Sequence, residues 1–226
     1  MAETLDLTRR TVAPDRIAEL ALDDEGLLRE LLEGISPDTK KASLREQSSK
    51  AILFMAETWP EALLPHWAYF VDLLRCDNGF SKYVALYVVA DLTPVAEPGL
   101  FEKAFDVYFG LLDDKSVMVA SHAARNAGKL AKARPALEGK ITRRLLALGK
   151  AHHEGSRQDL VRGYVIEALD DYMEQARDKA GILAFVKQQV DCASPKTRKL
   201  AKAFLQKWAG NGEDGPSKSG PLPDRL

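Results

Sequence analysis

LLDDKSVMVASHAARNAGKL, residues 111–130, carries an acidic turn at Asp114 followed by Val119, Ala123 and Gly128 at the spacing of one helix face. Four other stretches superpose on it. Each has a β-branched or similar residue, then a basic residue, then a small or apolar residue three further on: Leu44-Arg45 with Ser48, Ser81-Lys82 with Ala85, Val161-Arg162 with Val165, and Thr197-Arg198 with Ala201. In residues 111–130 the basic position is Ala120. The copies recur roughly every 36 to 42 residues, room for two helices and two turns per unit. An acidic residue precedes each copy, namely Asp38, Asp77, Asp114, Glu154 and Asp191. A carboxylate there is expected to cap orphan amides and to favour the positive end of the helix dipole, worth about 0.3–2 kcal/mol.

This pattern resembles the second helix of HEAT and armadillo-like repeats: an Asp, a short turn, then Val-Arg and a small residue leading to Leu-Gly. Asp114, Val119, Ala123 and Gly128 stand on the matching positions, and Ala120 departs where the family prefers Arg. Five copies in register, over roughly residues 20–209, imply an all-α, right-handed α-α superhelix of about five helix pairs. The resemblance implies an architecture and no activity.

The rest of the chain agrees. Apolar residues recur at i, i+3, i+4 and i+7, and glycine and proline fall mostly between those runs. The first helices are expected at Asp24–Gly34, 61–75, 100–112, 139–152 and 179–190. The second are expected at 39–57, Gly79–Leu92, 116–133, 157–175 and Pro195–Trp208. The strand-like run Tyr83 to Val89 continues a helical pattern and reads as a buried helix. Residues 1–15 are expected either to be loose or to dock on the first helix, 16–209 to form the repeat domain, and the Gly/Pro/Ser-rich residues 210–226 to be a disordered tail.

Composition narrows function. With 32 basic and 33 acidic residues and a net charge of −1, no global field draws the chain to nucleic acid or membrane. No run approaches the roughly 20 apolar residues of a membrane span. Cys76 and Cys192 at unrelated positions, with no secretory leader, point to two buried free thiols in the cytoplasm. His152-His153-Glu154 lacks the i, i+4 histidine spacing of a metalloprotease helix and reads as a helix end, so no metal, cofactor or catalytic residue is expected. Trp67 and Trp208 lie on apolar stripes, whereas Trp59, beside Pro60, is the tryptophan expected to be most exposed.

The most unusual local feature is residues 115–150, where Lys115, Arg125, Lys129, Lys132, Arg134, Lys140, Arg143, Arg144 and Lys150 face one acid, Glu138. His122, Arg125, Lys129 and Lys132 share a helix face. In the family's architecture that face is concave, so these four, with Arg143 and Arg144, are the candidate partner-binding residues. Two readings of this face stay open. Shifting by one repeat sets Arg125 opposite Glu167, Lys129 opposite Asp171 and Lys132 opposite Glu174, which predicts inter-helix ion pairs. Alternatively the cations are free for a ligand. The leading functional expectation is a non-catalytic scaffold or adaptor for a protein or peptide. The alternative is a nucleic-acid-binding solenoid. The HEAT-like DNA alkylation-repair glycosylases resemble the chain in length and helical architecture, without a residue-by-residue match to their concave aromatic and acidic groups. A regulatory subunit of another enzyme is the third reading.

Overall fold

The computed structural model describes residues 7, 12–148 and 155–209. Helices α1 (Pro14–Ala21), α2 (Glu25–Gly34), α3 (Ala42–Thr58), α4 (Pro60–Leu63), α5 (Trp67–Leu73) and α6 (Gly79–Leu92) form the first part. Helices α7 (Leu100–Gly110), α8 (Val117–Ala133), α9 (Glu138–Leu146), α10 (Ser156–Tyr172), α11 (Lys179–Lys187) and α12 (Pro195–Trp208) follow. No strand occurs among the described residues. The molecule is an all-α, armadillo-like superhelix in which α3, α6, α8, α10 and α12 lie side by side as one layer. The first helices of the pairs, α2, α5, α7, α9 and α11, back it.

The second helices run parallel. His122 of α8 meets Tyr83 and Tyr87 near the middle of α6 on one side and Tyr164 of α10 on the other, while Lys129, further along α8, reaches Asp91 at the end of α6. Among described elements, α8 and α10 are the most extensively packed pair. The reason is in the sequence of α8, whose buried residues include Ala120, Ala123, Ala124, Ala127, Gly128 and Ala131. Small side chains let the two backbones approach, and a Cβ built on Gly128 would stand 2.9 Å from the carbonyl oxygen of Ala168.

Polar side chains of one repeat donate to backbone carbonyls of the preceding one. Ser81, fully buried, donates to Ile35 O (2.8 Å), and Thr197, equally buried, donates to Asp159 O (2.6 Å). Tyr69 donates from its hydroxyl to Leu32 O at 2.6 Å. Burial, followed by the nearby Cys76 and Glu33, pushes the pKa of Tyr69 up to about 12, which keeps it a donor. The recurrent basic position has a structural use as well. Arg45 donates to Thr39 O, and Arg198 donates to Cys192 O at 2.7 Å, each clamping the turn six residues upstream.

Several local expectations are corrected. Asp38, Asp77, Asp114 and Asp191 are not the caps of the second helices, because they lie one to three residues upstream of the cap position. Asn78, Ser116 and Ser194 accept the first-turn amides instead, and at α3 the cap position is Lys41, which offers no side-chain acceptor. Asp114 bonds Ser116 N and the Lys82 ammonium (2.6 Å), tying α6 to the turn before α8. Acidic caps occur on first helices, at Asp24 and Asp178. The helix expected over 61–75 is broken at Leu64–His66, where Pro65 has no amide to donate. An additional helix, α1, starts at Ala13-Pro14 and packs on α3 and α2, with Ile17, Ala18 and Ala21 buried. Both cysteines are free and half-buried rather than buried, each thiol donating to the carbonyl of a cap residue, Asn78 or Ser194. Trp67 is buried. Trp59 and Trp208 are both half-buried, Trp59 edge-on to Phe54 at 5.5 Å, because the turn folds it back onto α3. The expectations for His152, His153, Glu154, Lys150 and residues 210–226 lie outside the described residues.

Candidate functional site

The outer face of the second-helix layer carries two bands. Toward the C-terminal ends of the helices the band is ionic. Arg125 bridges to Asp171 (2.8 Å) and Glu167 (3.5 Å) on α10. Lys129 pairs backward with Asp91 on α6 (2.6 Å). Asp170 accepts from Lys207 (2.9 Å) and from Trp208 Nε1 (2.5 Å) on α12. The predicted pairing of Arg125 with Glu167 is present. Lys129 does not take Asp171, because α8 and α10 cross at Gly128, where the missing side chain leaves Asp171 room to lean toward Arg125. Lys132 and Glu174 are exposed and form no ion pair among the described residues.

Toward the N-terminal ends the band is aromatic. Arg45 of α3 lies over the Phe80 ring (5.5 Å), and Phe80 neighbours Tyr83. Tyr83 packs on Tyr87 (5.1 Å) and meets His122 edge-on at 4.8 Å. The Tyr87 hydroxyl and His122 Nδ1 share a 2.9 Å hydrogen bond, and His122 adjoins Tyr164 of α10 at 6.0 Å. Lys196 of α12 closes the series over the Tyr164 ring at 4.0 Å. All these rings are half-buried. Burial and then the Lys196 charge lower the His122 pKa, favouring neutral imidazole; burial and then Tyr83 raise that of Tyr87.

Shallow depressions follow the ionic band. One, of about 450 Å³, lies between α6, α8 and α10 and is lined by Tyr87, Arg125, Asn126, Lys129, Lys132 and Asp171. A second, of about 370 Å³, lies between α10 and α12 over Ile166, Leu200 and Phe204.

The structure brings His122, Arg125, Lys129 and Lys132 together on this face and sets Arg143 and Arg144 apart on α9, in the first-helix layer. Arg143 is exposed, and Arg144 donates to Phe109 O at 3.0 Å. The basic run of residues 115–150 is thus contiguous in sequence but divided in space. Arg134 bonds Ala96 O, Lys140 covers the Phe105 ring at 3.8 Å beside Asp106, and Glu138 is buried against Thr142. Phe80, Tyr83, Tyr87 and Tyr164 are the site residues that sequence reasoning missed. The available signal was a ring at nearly the same place in successive repeats, obscured by the uniformly apolar run around Tyr83. Among the described residues no group of three or more His, Cys, Asp or Glu side chains could hold a metal, and no helix is long and apolar enough to cross a membrane.

No protein-family model and no curated protein matches the chain. Among solved structures it is similar to a designed armadillo repeat protein in complex with the peptide (KR)4, at 17% identity, covering 85% of this chain and 90% of that one, with a TM-score of 0.51. A computationally designed armadillo repeat protein for modular peptide recognition aligns at 17% identity over 85% and 90%, with a TM-score of 0.49. At that identity the first likeness shows the fold, an armadillo-like helical repeat, and nothing finer.

Proposed function

We propose that the chain is a non-catalytic scaffold or adaptor that binds a protein or peptide segment along the outer face of its second helices. The observation that carries this reading is the half-exposed aromatic band Phe80–Tyr83–Tyr87–His122–Tyr164, which crosses three successive repeats beside a line of depressions. Rings held rigidly by their neighbours give large contact area at little entropic cost, which suits anchoring positions of a protein interface. The designed protein of similar fold is complexed with a peptide, which supports a peptide as occupant.

A nucleic-acid surface would need unpaired cations to exchange for counterions, whereas Arg125 and Lys129 are engaged with Asp171, Glu167 and Asp91. The test is selection of dodecapeptides from a displayed library on the full chain, followed by affinity measurement against Tyr83→Ala and Tyr164→Ala. Binding is expected to weaken by about tenfold or more in both and to be unchanged by Arg143→Glu in the other layer. Tight binding of labelled DNA or RNA with a steep salt slope, abolished by charge reversal at Arg143 and Arg144, would replace this reading with the nucleic-acid one.

A further inference from the structure

The ionic band is not evenly balanced across the face. In the depression between α6, α8 and α10, Arg125 is answered by Asp171 and Glu167 and Lys129 by Asp91, which leaves Lys132 as the remaining cation. In the depression at the C-terminal end of α10, Asp170 is answered by Lys207 and Asp171 by Arg125, which leaves Glu174 as the remaining carboxylate, with the Trp208 ring on one wall. The two depressions meet at Asp171. Each side ends in a side chain with no ion-pair partner among the described residues: Lys132 on the cationic side and Glu174 on the acidic side. Repeat register places these two opposite each other, yet they form no pair. The face therefore presents adjacent centres of opposite sign, separated by one helix-to-helix spacing of roughly 8–10 Å.

We infer that this part of the face reads an extended peptide carrying an acidic and a basic side chain, the acid seated at Lys132 and the base at Glu174. The spacing matches residues about 9 Å apart at i, i+3 in polyproline II and is within side-chain reach of residues about 7 Å apart at i, i+2 in a strand. A uniformly basic or uniformly acidic segment places a like charge on one of the two centres, so the arrangement selects both composition and order. Trp208 and Tyr87 supply apolar walls on which the stems of the two charged side chains lie.

The inference rests on the peptide-binding reading, and the experiment separates the two. Dodecapeptides selected on the full chain are sorted by whether Tyr83→Ala and Tyr164→Ala weaken them. Those that depend on the tyrosines should carry an acidic and a basic residue two or three positions apart. One such peptide and its counterpart with the two charges exchanged are then titrated against the wild type and against the double variant Lys132→Glu/Glu174→Lys. Both substituted positions are exposed and without an ion-pair partner among the described residues, so the variant should fold as the wild type does. The wild type should prefer the selected peptide by about tenfold or more, and the double variant should prefer the exchanged one by a similar factor. Equal affinity for the two orders, or a uniformly basic peptide binding as tightly as the mixed one, overturns the inference. Tyrosine-dependent peptides lacking paired opposite charges overturn it while leaving peptide binding intact. The absence of any tyrosine-dependent peptide overturns both.

Discussion

The aromatic and ionic bands are carried by the same parallel helices, a turn or two apart, and they differ in how far the protein has satisfied them. In the ionic band most charges are already answered from the neighbouring helix: Arg125 by Asp171 and Glu167, Lys129 by Asp91, and Lys207 by Asp170. In the aromatic band the rings meet each other edge-on or tilted and stay half-exposed, with the terminal rings covered by Arg45 and Lys196. A charge can be neutralised by one partner at close range, whereas a ring has two faces and an edge and is covered only by area. The paired charges of the ionic band thus set the register between repeats, and the aromatic band, with Lys132 and Glu174, is left for something outside the chain.

That division can be broken at the crossing on which the ionic register depends. Gly128→Val should destabilise the protein by about 2–3 kcal/mol in urea unfolding, because the new side chain meets backbone as well as Asp171. Gly110→Ala, at a helical glycine with open space around it, should be neutral or stabilise by up to about 1 kcal/mol. A Gly128 variant as stable as the wild type would remove close approach as the cause of the Arg125–Asp171 pairing.

The ionic band itself is sharpened by a double-mutant cycle. Arg125→Gln and Asp171→Asn should show a coupling of about 0.5–1 kcal/mol, modest because both side chains are about a third or more exposed. Lys132→Ala should change stability by less than about 0.5 kcal/mol. A coupling of zero at Arg125, or a substantial loss at Lys132, would reverse which cations are structural.

The smallest effect tests the aromatic band. Burial and Lys196 lower the His122 pKa from 6.5, so on acidification the unfolded chain takes up the proton first. The contribution of neutral His122 is therefore present above about pH 6.5 and lost as pH falls through its lowered folded value. The fall in Tm between about pH 7.5 and 5.5 should be shallower in His122→Asn than in the wild type. An identical fall in both would show that this histidine is not held neutral by the rings around it.

Local, short-range chemistry was legible in the sequence. The bounds of α6 and α12 follow from the apolar period and the residues flanking it, and a repeat of roughly 36 to 42 residues leaves little room for any fold but stacked helix pairs. The Arg125–Glu167 contact followed from the repeat offset alone. Short-range signals were also where detail failed: Asp77 and Asp114 stood near the right place for caps, but Asn78 and Ser116 stood on it.

Tertiary structure alone decided what crosses between helices. How closely α8 approaches α10 depends on an alanine and glycine face meeting Ala168, and that approach gives Asp171 to Arg125 and leaves Lys129 to Asp91. Tyr83, His122 and Tyr164 are about 40 residues apart in the chain, and nothing local marks them as neighbours. Their convergence arises because parallel helices with similar repeat lengths bring like positions to one height. Sequence shows the period of such an arrangement, but which side chains touch is set by rotation and separation, and these are fixed only when the cores pack.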